Sequence, residues 1–399
     1  MKYINILINI ILLSNILSAN TIDESKLDLK YYTKYKGQKR IVNVYNWGEY
    51  ISDGSDDSIN VNKEFERITG IKVNYTTFSS NEELYVKLKV GGISYDVIIP
   101  SDYMIAKLIK EKLIQKINFN NIPAYKNIDS RFRKNSYDPN GEYSVAYTWG
   151  VNGIIINKKF VDEPTIDWNI LFDYKYSKQI LMYYNPRDSF AVAQAYLGYS
   201  LNTTNEMELR ETARILKEQK NIIQAYVMDE IYDKMEAEEA YIAVYYAGDA
   251  LSMIENNTNL AFFIPPKGAN LFVDALCIPS NAENVDTAEM YINFMSEAQV
   301  ALENANYINY ASPNNTAKEI MDDEVKNNKI IYPDEEILNG CEVYTDLPEE
   351  TNILIDSLWS EILSSDSSYN GWVIPIFLII LLVLCFIIRI KIRKKKYNL

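Results

Sequence analysis

The sequence has 399 residues, 48% of them hydrophobic, which is enough for two domains of ordinary size with buried cores. Its 54 acidic residues outnumber its 40 basic ones, and the formal net charge of −14 disfavours binding to nucleic acid. The chain contains no histidine, which excludes a Ser-His-Asp triad and any His-ligated zinc site, and we expect neither a metal ion nor a cofactor.

The N-terminal segment, residues 1–19, is typical of a secretory signal. Lys2 precedes an apolar stretch over residues 4–17, and small residues suited to cleavage follow near Ala19. An uncleaved anchor with the same orientation is the alternative, and both predict that the body of the chain is exported. Residues 20–39 are polar and rich in Tyr and Lys, so we expect a spacer there.

From Arg40 the sequence alternates between strand and helix patterns, which predicts a parallel-type α/β sheet. Two helices are predicted to end at glycine, at Gly70 and Gly91. A third helix is predicted over residues 101–114, with Ser101 or Asp102 as its N-cap. The segments before it are the strand 41–45, the helix EFERIT, the strand IKVNYTTF, the helix NEELYVKLK and the strand YDVIIP.

A second set of strands and helices follows the apolar run YTWGVNGIIIN. It comprises strand QILMYY, turn NPRD, helix SFAVAQAYLGYS, a charged helix over 209–220, strand EAYIAVYY, turn AGD, helix ALSMIEN, strands LAFFIP and LFVDALCIP, and helix AEMYINFMSEAQVALENA. Two α/β sets, with chain returning after the second, predict two lobes joined by more than one crossover. We place lobe 1 at 40–149 and 275–314, and lobe 2 at 150–274 and 315–364.

The C-terminal region contains the uncharged run WVIPIFLIILLVLCFII. At 1.5 Å per residue its 17 residues would span about 26 Å, marginally enough to cross a bilayer. The basic sequence RIKIRKKK follows, which predicts a transmembrane helix at 372–390, after a linker at 365–371, and a cytoplasmic tail at 391–399. A buried core helix is the alternative.

The body between these terminal segments is strongly acidic. Residues 20–371 hold all 54 acidic residues but 33 of the 40 basic ones, the other seven being Lys2 and six in RIKIRKKK, so the net charge is −21. Such a charge favours cationic ligands, although solubility explains most of it.

Residues that directly follow predicted strands are candidates for ligand binding, because ligands of open α/β sheets lie beyond the carboxyl ends of the strands. A carboxylate offers an ammonium ion a charge-assisted hydrogen bond, and an aromatic face adds about 0.5–2 kcal/mol of attraction. The strand ends predict such a cation site rather than a phosphate site. Core packing and helix capping are the alternatives for individual members. The strand-end residues are Trp47, Glu49, Tyr50, Ser101, Asp102, Tyr103, Asn185, Asp188, Tyr246 and Asp249.

Asp274 interrupts the predicted strand LFVDALCIP on the same face as Phe272. Burying an unpaired carboxylate costs several kcal/mol, so Asp274 requires a partner. That partner is either a cationic ligand or a basic neighbour such as Arg187.

Three cysteines are present, and their spacing matches no metal site. A disulfide between Cys277 and Cys341 is one option in an oxidising compartment.

Several motifs, in one order between Arg40 and Leu363, resemble the spermidine/putrescine-binding proteins of polyamine ABC transporters. The resemblance implies a two-lobed, type II periplasmic-binding-protein fold that is monomeric and not an enzyme. It also implies that the lobes close on a polyamine outside the cytoplasmic membrane and present it to permease subunits energised by a cytoplasmic ATPase. The motifs are NWGEYI, EFERITGIKVNYTTFSSNEELYVKLK, YDVIIPSDYMIAKL, YTWGVNGIIIN, FVDALCIPSNA, INYASPN and YPDEEIL.

The resemblance also implies a set of polyamine contacts. Asn185 stands where the spermidine pattern has an Asp, Tyr246 and Phe272 stand where it has Trp, and no Gln lies near Gly340. These departures lead to the hypothesis that a diamine such as putrescine binds in preference to spermidine. A binder of another solute, a two-carboxylate hydrolase and a surface receptor on the same fold are the alternatives. The implied contacts are Trp47, Glu49, Tyr50, Ser101, Tyr103, Asn185, Asp188, Tyr246, Phe272, Asp274 and Tyr310.

Overall fold

The structure, a computed structural model, describes residues 21–163 and 165–365. The predicted signal at 1–19 and the predicted membrane helix and tail at 372–399 lie outside this part of the chain. Within the described ranges, no helix combines the length and the apolar character that crossing a membrane requires.

Residues 21–39, predicted to be a spacer, instead pack against lobe 1. They contain a short helix, α1 (Leu29–Tyr32), and bury Ile22 and Tyr32 to 2% and 0% exposure. The Tyr32 hydroxyl donates a hydrogen bond of 2.8 Å to Glu297. The prediction failed because these contacts join positions far apart in the chain, which a local polar composition cannot reveal.

Lobe 1 begins with the predicted alternation of strands and helices. Its first strand pairs in parallel with the two that follow, and the first two helices end at Gly70 (φ 71°) and Gly91 (φ 70°), as predicted. The third helix is shorter than predicted and ends at Lys110, because the backbone turns at Lys112 (φ 59°). The bounds are β1 Ile41–Trp47, α2 Val61–Thr69, β2 Lys72–Phe78, α3 Asn81–Val90, β3 Val97–Ile98, α4 Asp102–Lys110, β4 Ile114–Gln115, and 3₁₀ helices Phe119–Asn121, Pro123–Asn127 and Ser130–Phe132.

Lobe 2 begins in the second half of β5 (Ser144–Asn157), a strand that is buried throughout. Its next elements surround a second set of parallel strands. Their bounds are 3₁₀ helices Trp168–Phe172 and Tyr174–Tyr176, then β6 Ile180–Tyr183, α5 Pro186–Leu197, α6 Glu206–Gln219, β7 Ile223–Val227, α7 Ile231–Glu236, β8 Ile242–Tyr246, α8 Ala247–Asn256 and β9 Leu260–Phe263.

Within residues 21–163 and 165–365 the chain passes between the lobes three times, which confirms the predicted two-lobed architecture. The first half of β5 pairs with the returning strand β10 (Leu271–Pro279), and its second half pairs with β8 and β9. The third passage lies between Tyr332, in the core of lobe 1, and Leu347, in the core of lobe 2, and the last helix packs on lobe 2. The remaining helices are α9 Val285–Met295, α10 Ala298–Ile308, α11 Asn315–Ile320, α12 Asp323–Lys326, α13 Glu335–Asn339 and α14 Glu349–Ser364.

Each lobe has its own hydrophobic core, and these cores move two of the predicted boundaries. The first part of the segment 315–364, which was predicted to belong to lobe 2, belongs to lobe 1. Its residues Met321, Ile331 and Tyr332 pack in the core of lobe 1. Phe272 and Val273 also join lobe 1, ahead of the predicted boundary after Asp274. Sequence periodicity identifies apolar faces but not which of two cores they enter.

The disulfide considered from the sequence is not formed. Cys277 is a buried free thiol on β10 in lobe 1, and Cys341 is a half-buried free thiol in the third passage.

Candidate functional site

A narrow cavity of about 90 Å³ lies between the lobes, where strand ends and helix N-termini of both meet. No lysine or arginine of the described chain lines it, whereas aromatic and acidic side chains dominate its wall. Ten of the eleven predicted contacts lie in that wall: Trp47, Tyr50, Ser101, Tyr103, Asn185, Asp188, Tyr246, Phe272, Asp274 and Tyr310.

Three rings form a continuous aromatic wall along the cavity. The ring centroids of Tyr246 and Phe272 lie 5.5 Å apart and those of Phe272 and Tyr310 lie 5.8 Å apart, both edge to face. This packing requires Gly150 on β5, because a Cβ there would lie 2.9 Å from Phe272 and 3.0 Å from Tyr310. The rings of Phe272 and Tyr310 therefore pack directly against the backbone of β5 at Gly150.

Asp274 lies on the same strand as Phe272 and is only 4% exposed. Its Oδ2 accepts a hydrogen bond of 2.6 Å from the Tyr50 hydroxyl, while its Oδ1 is buried with no partner in the described chain. Burial raises the pKa of this carboxyl to about 6, although the nearby hydroxyls of Ser101 and Tyr50 oppose the shift. Asp274 therefore leaves one acceptor unused beside the cavity.

Arg187 does not neutralise Asp274, so the salt bridge considered from the sequence is wrong. Its Nη2 donates to Asn202 Oδ1 at 2.8 Å, and its guanidinium lies 4.5 Å from the ring centroid of Tyr344. Neither Arg187 nor Asp274 forms an ion pair within the described ranges. Arg187 instead supports the chain of the third passage.

Asp188 lies in the first turn of α5 and accepts hydrogen bonds from two tyrosines. The hydroxyls of Tyr246 and Tyr344 donate to its two oxygens at 2.6 and 2.9 Å. Asn185 caps α5, since its Oδ1 accepts from the Asp188 N–H at 2.8 Å, and its Nδ2 donates to Asp188 Oδ2 at 2.8 Å. The side-chain amide oxygen and nitrogen of Asn185 are therefore both hydrogen-bonded to Asp188. Asp188 itself is not the cap.

Glu82, which the sequence analysis did not select, lies in the first turn of α3 and lines the cavity from lobe 1. The Tyr103 hydroxyl donates to its Oε1 at 2.9 Å. Burial raises the pKa of Glu82, and the negative charge of Asp188 adds to the shift, whereas the Tyr103 hydrogen bond opposes it. The strand-end rule applied after β2 would have found this residue.

Asp249, in the first turn of α8, forms the other acidic end of the cavity with Asp229. The hydroxyls of Tyr232 and Tyr310 donate to its two oxygens, both at 2.5 Å. Burial raises the pKa of Asp249 to about 6 despite these bonds. Because Tyr310 packs in lobe 1 and Asp249 belongs to lobe 2, this hydrogen bond joins the lobes.

Glu49 is the predicted contact that the structure does not bring into the cavity. After β1 the chain turns, with Glu49 in the left-handed region (φ 47°), and its side chain is exposed in neighbouring grooves. The turn lets Tyr50 reach inward to Asp274, which leaves Glu49 outside. Trp47 does line the cavity, and its ring packs 4.5 Å from Phe78.

Ser101 and Asp102 connect the start of α4 to its surroundings. Ser101 makes no side-chain cap bond but exchanges two hydrogen bonds of 3.1 Å with Asn81. Asp102 accepts from the N–H groups of Tyr103 (2.7 Å) and Val273 (3.2 Å), and burial raises its pKa to about 8. Asp102 therefore acts as a structural link between the start of α4 and β10.

Taken together, the site has carboxylates at both ends of an aromatic wall and one in its middle. Glu82 and Asp188 form one end, Asp249 and Asp229 the other, and Asp274 stands beside the central Phe272. This arrangement suits an extended molecule with positive ends and an apolar middle. It provides hydrogen-bond acceptors, and no basic side chain among residues 21–163 and 165–365 lines it for binding an anion.

Residues 93–341 match the family described as bacterial extracellular solute-binding proteins. The spermidine/putrescine-binding periplasmic protein of Salmonella typhimurium is 34% identical over 311 residues, covering 77% of this chain and 88% of that protein. The putrescine-binding periplasmic protein SpuD of Pseudomonas aeruginosa is 29% identical over 344 residues, covering 82% and 92%. Among solved structures, the spermidine/putrescine ABC transporter substrate-binding protein PotD of Streptococcus pneumoniae superimposes with a TM-score of 0.69 at 35% identity, covering 81% and 98%.

Proposed function

This chain belongs to the family of bacterial extracellular solute-binding proteins, and we propose that it is the polyamine-binding component of an ABC importer. It captures a polyamine between its lobes on the outer side of the cytoplasmic membrane. Permease subunits then receive the polyamine, and a cytoplasmic ATPase drives its passage. The role is binding and delivery rather than catalysis.

The observation that carries this proposal is the pairing of acidic ends with an aromatic wall in a cavity that no described basic side chain lines. A polyamine has ammonium groups joined by methylenes, so carboxylates bind its charges and rings cover its carbon chain. The unpaired Oδ1 of Asp274 accepts a further N–H. Contacts to both lobes at once make ligand binding favour the closed state.

A short diamine such as putrescine fits this site better than spermidine. Asn185 carries no charge, and its side-chain amide oxygen and nitrogen are both hydrogen-bonded to Asp188. It therefore offers little to a third ammonium. Tyr344 lines the same end of the cavity, and its hydroxyl also donates a hydrogen bond to Asp188.

Isothermal titration calorimetry of the purified full-length protein with putrescine, spermidine and an uncharged sugar tests the proposal. We expect both amines to bind, with putrescine the tighter, and the sugar not to bind. In Asp274→Asn, amine affinity falls at least about thirtyfold, because removing one partner of a buried charged pair costs about 2–5 kcal/mol. Unchanged polyamine affinity in this variant would favour a binder of another solute.

We also propose that residues 372–390 anchor the protein to the membrane and keep it near its permease at high effective concentration. The test is cell fractionation with a carbonate wash. Full-length protein should stay with the membranes, and a chain that stops at Ser365 should not. Release of both forms by the wash would contradict the anchor.

A further inference from the structure

We propose that Glu82 and Asp188 bind the same ammonium group, so that one charge of the ligand joins carboxylates contributed by opposite lobes. This inference rests on the proposed polyamine-binding function. It adds a ligand-binding residue that neither the strand-end residues nor the motif resemblance had indicated.

The two carboxylates reach the cavity from two helix starts. Glu82 is in the first turn of α3 in lobe 1, and Asp188 is in the first turn of α5 in lobe 2. Both line the same cavity, and the tyrosines that donate to them, Tyr103 to Glu82 and Tyr344 to Asp188, pack edge to face with their ring centroids 5.9 Å apart. Two carboxylates that approach each other in one cavity repel, and a cation placed between them removes that repulsion.

No basic side chain of the described chain performs this task. Glu82 accepts a side-chain hydrogen bond from Tyr103, and Asp188 accepts from two tyrosines and Asn185, all of them neutral donors. Arg187 stacks on the rings of Tyr103 and Tyr344 and does not line the cavity. No described basic side chain lies beside this pair inside the cavity, so a cationic ligand can occupy that position.

Glu82 is not needed to begin its helix, because its neighbour Glu83 serves that purpose. Ser80 Oγ accepts from the Glu83 N–H at 3.1 Å, and Glu83 Oε2 accepts from the Ser79 N–H at 2.9 Å, which is a local capping arrangement. Glu83 is exposed, whereas Glu82 lines the cavity. The adjacent glutamates thus provide a matched pair: one for the helix start and one for the ligand.

The test compares Glu82→Gln with Glu83→Gln in the full-length protein, titrated with putrescine by calorimetry. We expect E82Q to bind at least tenfold more weakly and E83Q to bind within twofold of wild type. E82D, which keeps the charge, should recover part of the affinity. Equal affinities of E82Q and E83Q would overturn the proposal.

A double-mutant cycle with Asp188→Asn tests whether the two residues share one ammonium. If they do, the loss in E82Q/D188N is clearly smaller than the product of the two single losses, since the second substitution acts on an already weakened contact. A loss equal to the product would assign Glu82 to a separate interaction and overturn the shared site. If wild type binds no polyamine, the proposed function fails first, and this inference fails with it.

Thermal unfolding of the ligand-free variants separates ligand binding from folding. E82Q should unfold at a temperature equal to or above that of wild type, because it removes a charge from a repelling pair. A lower unfolding temperature together with weaker binding would indicate a structural role and contradict the proposal.

Discussion

The two acidic ends of the cavity hold the lobes together in different ways. At the Asp249 end, Tyr310 of lobe 1 donates a hydrogen bond to Asp249 of lobe 2, and Asn309 donates to Ser252 at 3.2 Å, so the lobes are joined without a ligand. At the Asp188 end, the acids Glu82 and Asp188 approach from opposite lobes. The first contact favours closure by itself, whereas the second opposes closure until a cation enters.

This difference indicates where the ligand acts on the conformation. A hydrogen bond between the lobes contributes about 0.5–1.5 kcal/mol to closure whether or not a ligand is bound. Repulsion between two carboxylates becomes attraction to a shared cation only upon binding, so that end supplies most of the ligand dependence.

The largest expected effect is on putrescine affinity in Asp188→Asn. Removing one carboxylate from a buried charged contact costs about 2–5 kcal/mol, which is about thirtyfold or more in affinity. Calorimetry measures this loss, with the exposed Asp162→Asn in lobe 2 as the control. A loss of less than threefold in D188N would show that this end does not provide the ligand dependence.

The second effect concerns pH. The pKa values of Asp249 and Asp274 are raised to about 6 by burial, and a bound cation favours their ionised forms. Each carboxyl then reduces affinity by up to about tenfold per pH unit below 6, so putrescine should bind about 10- to 100-fold more weakly at pH 5 than at pH 7. Calorimetry at both values measures this, and the dependence should be shallower in Asp274→Asn. A flat profile in wild type would contradict it.

The same groups give the empty protein the opposite response. Because folding raises their pKa values, their contribution to stability is fully present below the ordinary value of 3.8 and is lost as pH rises through about 6. Ligand-free protein should therefore gain less stability than the putrescine complex between pH 5 and pH 7. Thermal unfolding with and without putrescine measures this difference.

The third effect compares two tyrosine hydroxyls. Tyr310→Phe removes the bond between the lobes at the Asp249 end, at a cost of about 1–3 kcal/mol for the carboxylate left short of a donor. Tyr103→Phe removes a bond within lobe 1. Small-angle scattering of the ligand-free proteins should show a larger radius of gyration in Y310F only. Equal radii in both variants would mean that Tyr310 does not hold the empty protein closed.

Local chemistry made much of the fold predictable. Alternating apolar strands, helices ended by Gly70 and Gly91, and chain returning after the second α/β set were sufficient for two lobes with several crossovers. The burial of Ile22 and Tyr32 was not predictable, because it depends on a surface formed by distant segments. The core assignment of residues 315–332 failed for the same reason.

Location in the cavity wall followed from the sequence where a residue's position after a strand decides it, as for Tyr50 and Asp188. It did not follow for Glu49, because one left-handed residue in a turn reverses the direction of a side chain without any mark in the residue pattern. The sequence did not indicate Glu82 either, because this residue belongs to a predicted helix. That helix, α3, begins directly beyond β2. Hydrogen bonds such as those of Asn185 depend on three-dimensional contacts and appear only in the structure.

The smallest expected effect is in Asn185→Asp, which adds a charge to the Asp188 end. Aspartate caps a helix as well as asparagine does, so α5 should be retained. The new carboxylate replaces a donor beside Asp188, and a bound ammonium relieves the repulsion between the two acids, so putrescine affinity should not fall and spermidine, with a third ammonium, should gain more. The ratio of spermidine to putrescine affinity should therefore rise about threefold or more. Asn185→Ser keeps a cap without the charge, and an equal change in ratio there would assign the effect to the cap and leave the missing carboxylate without a role in selectivity.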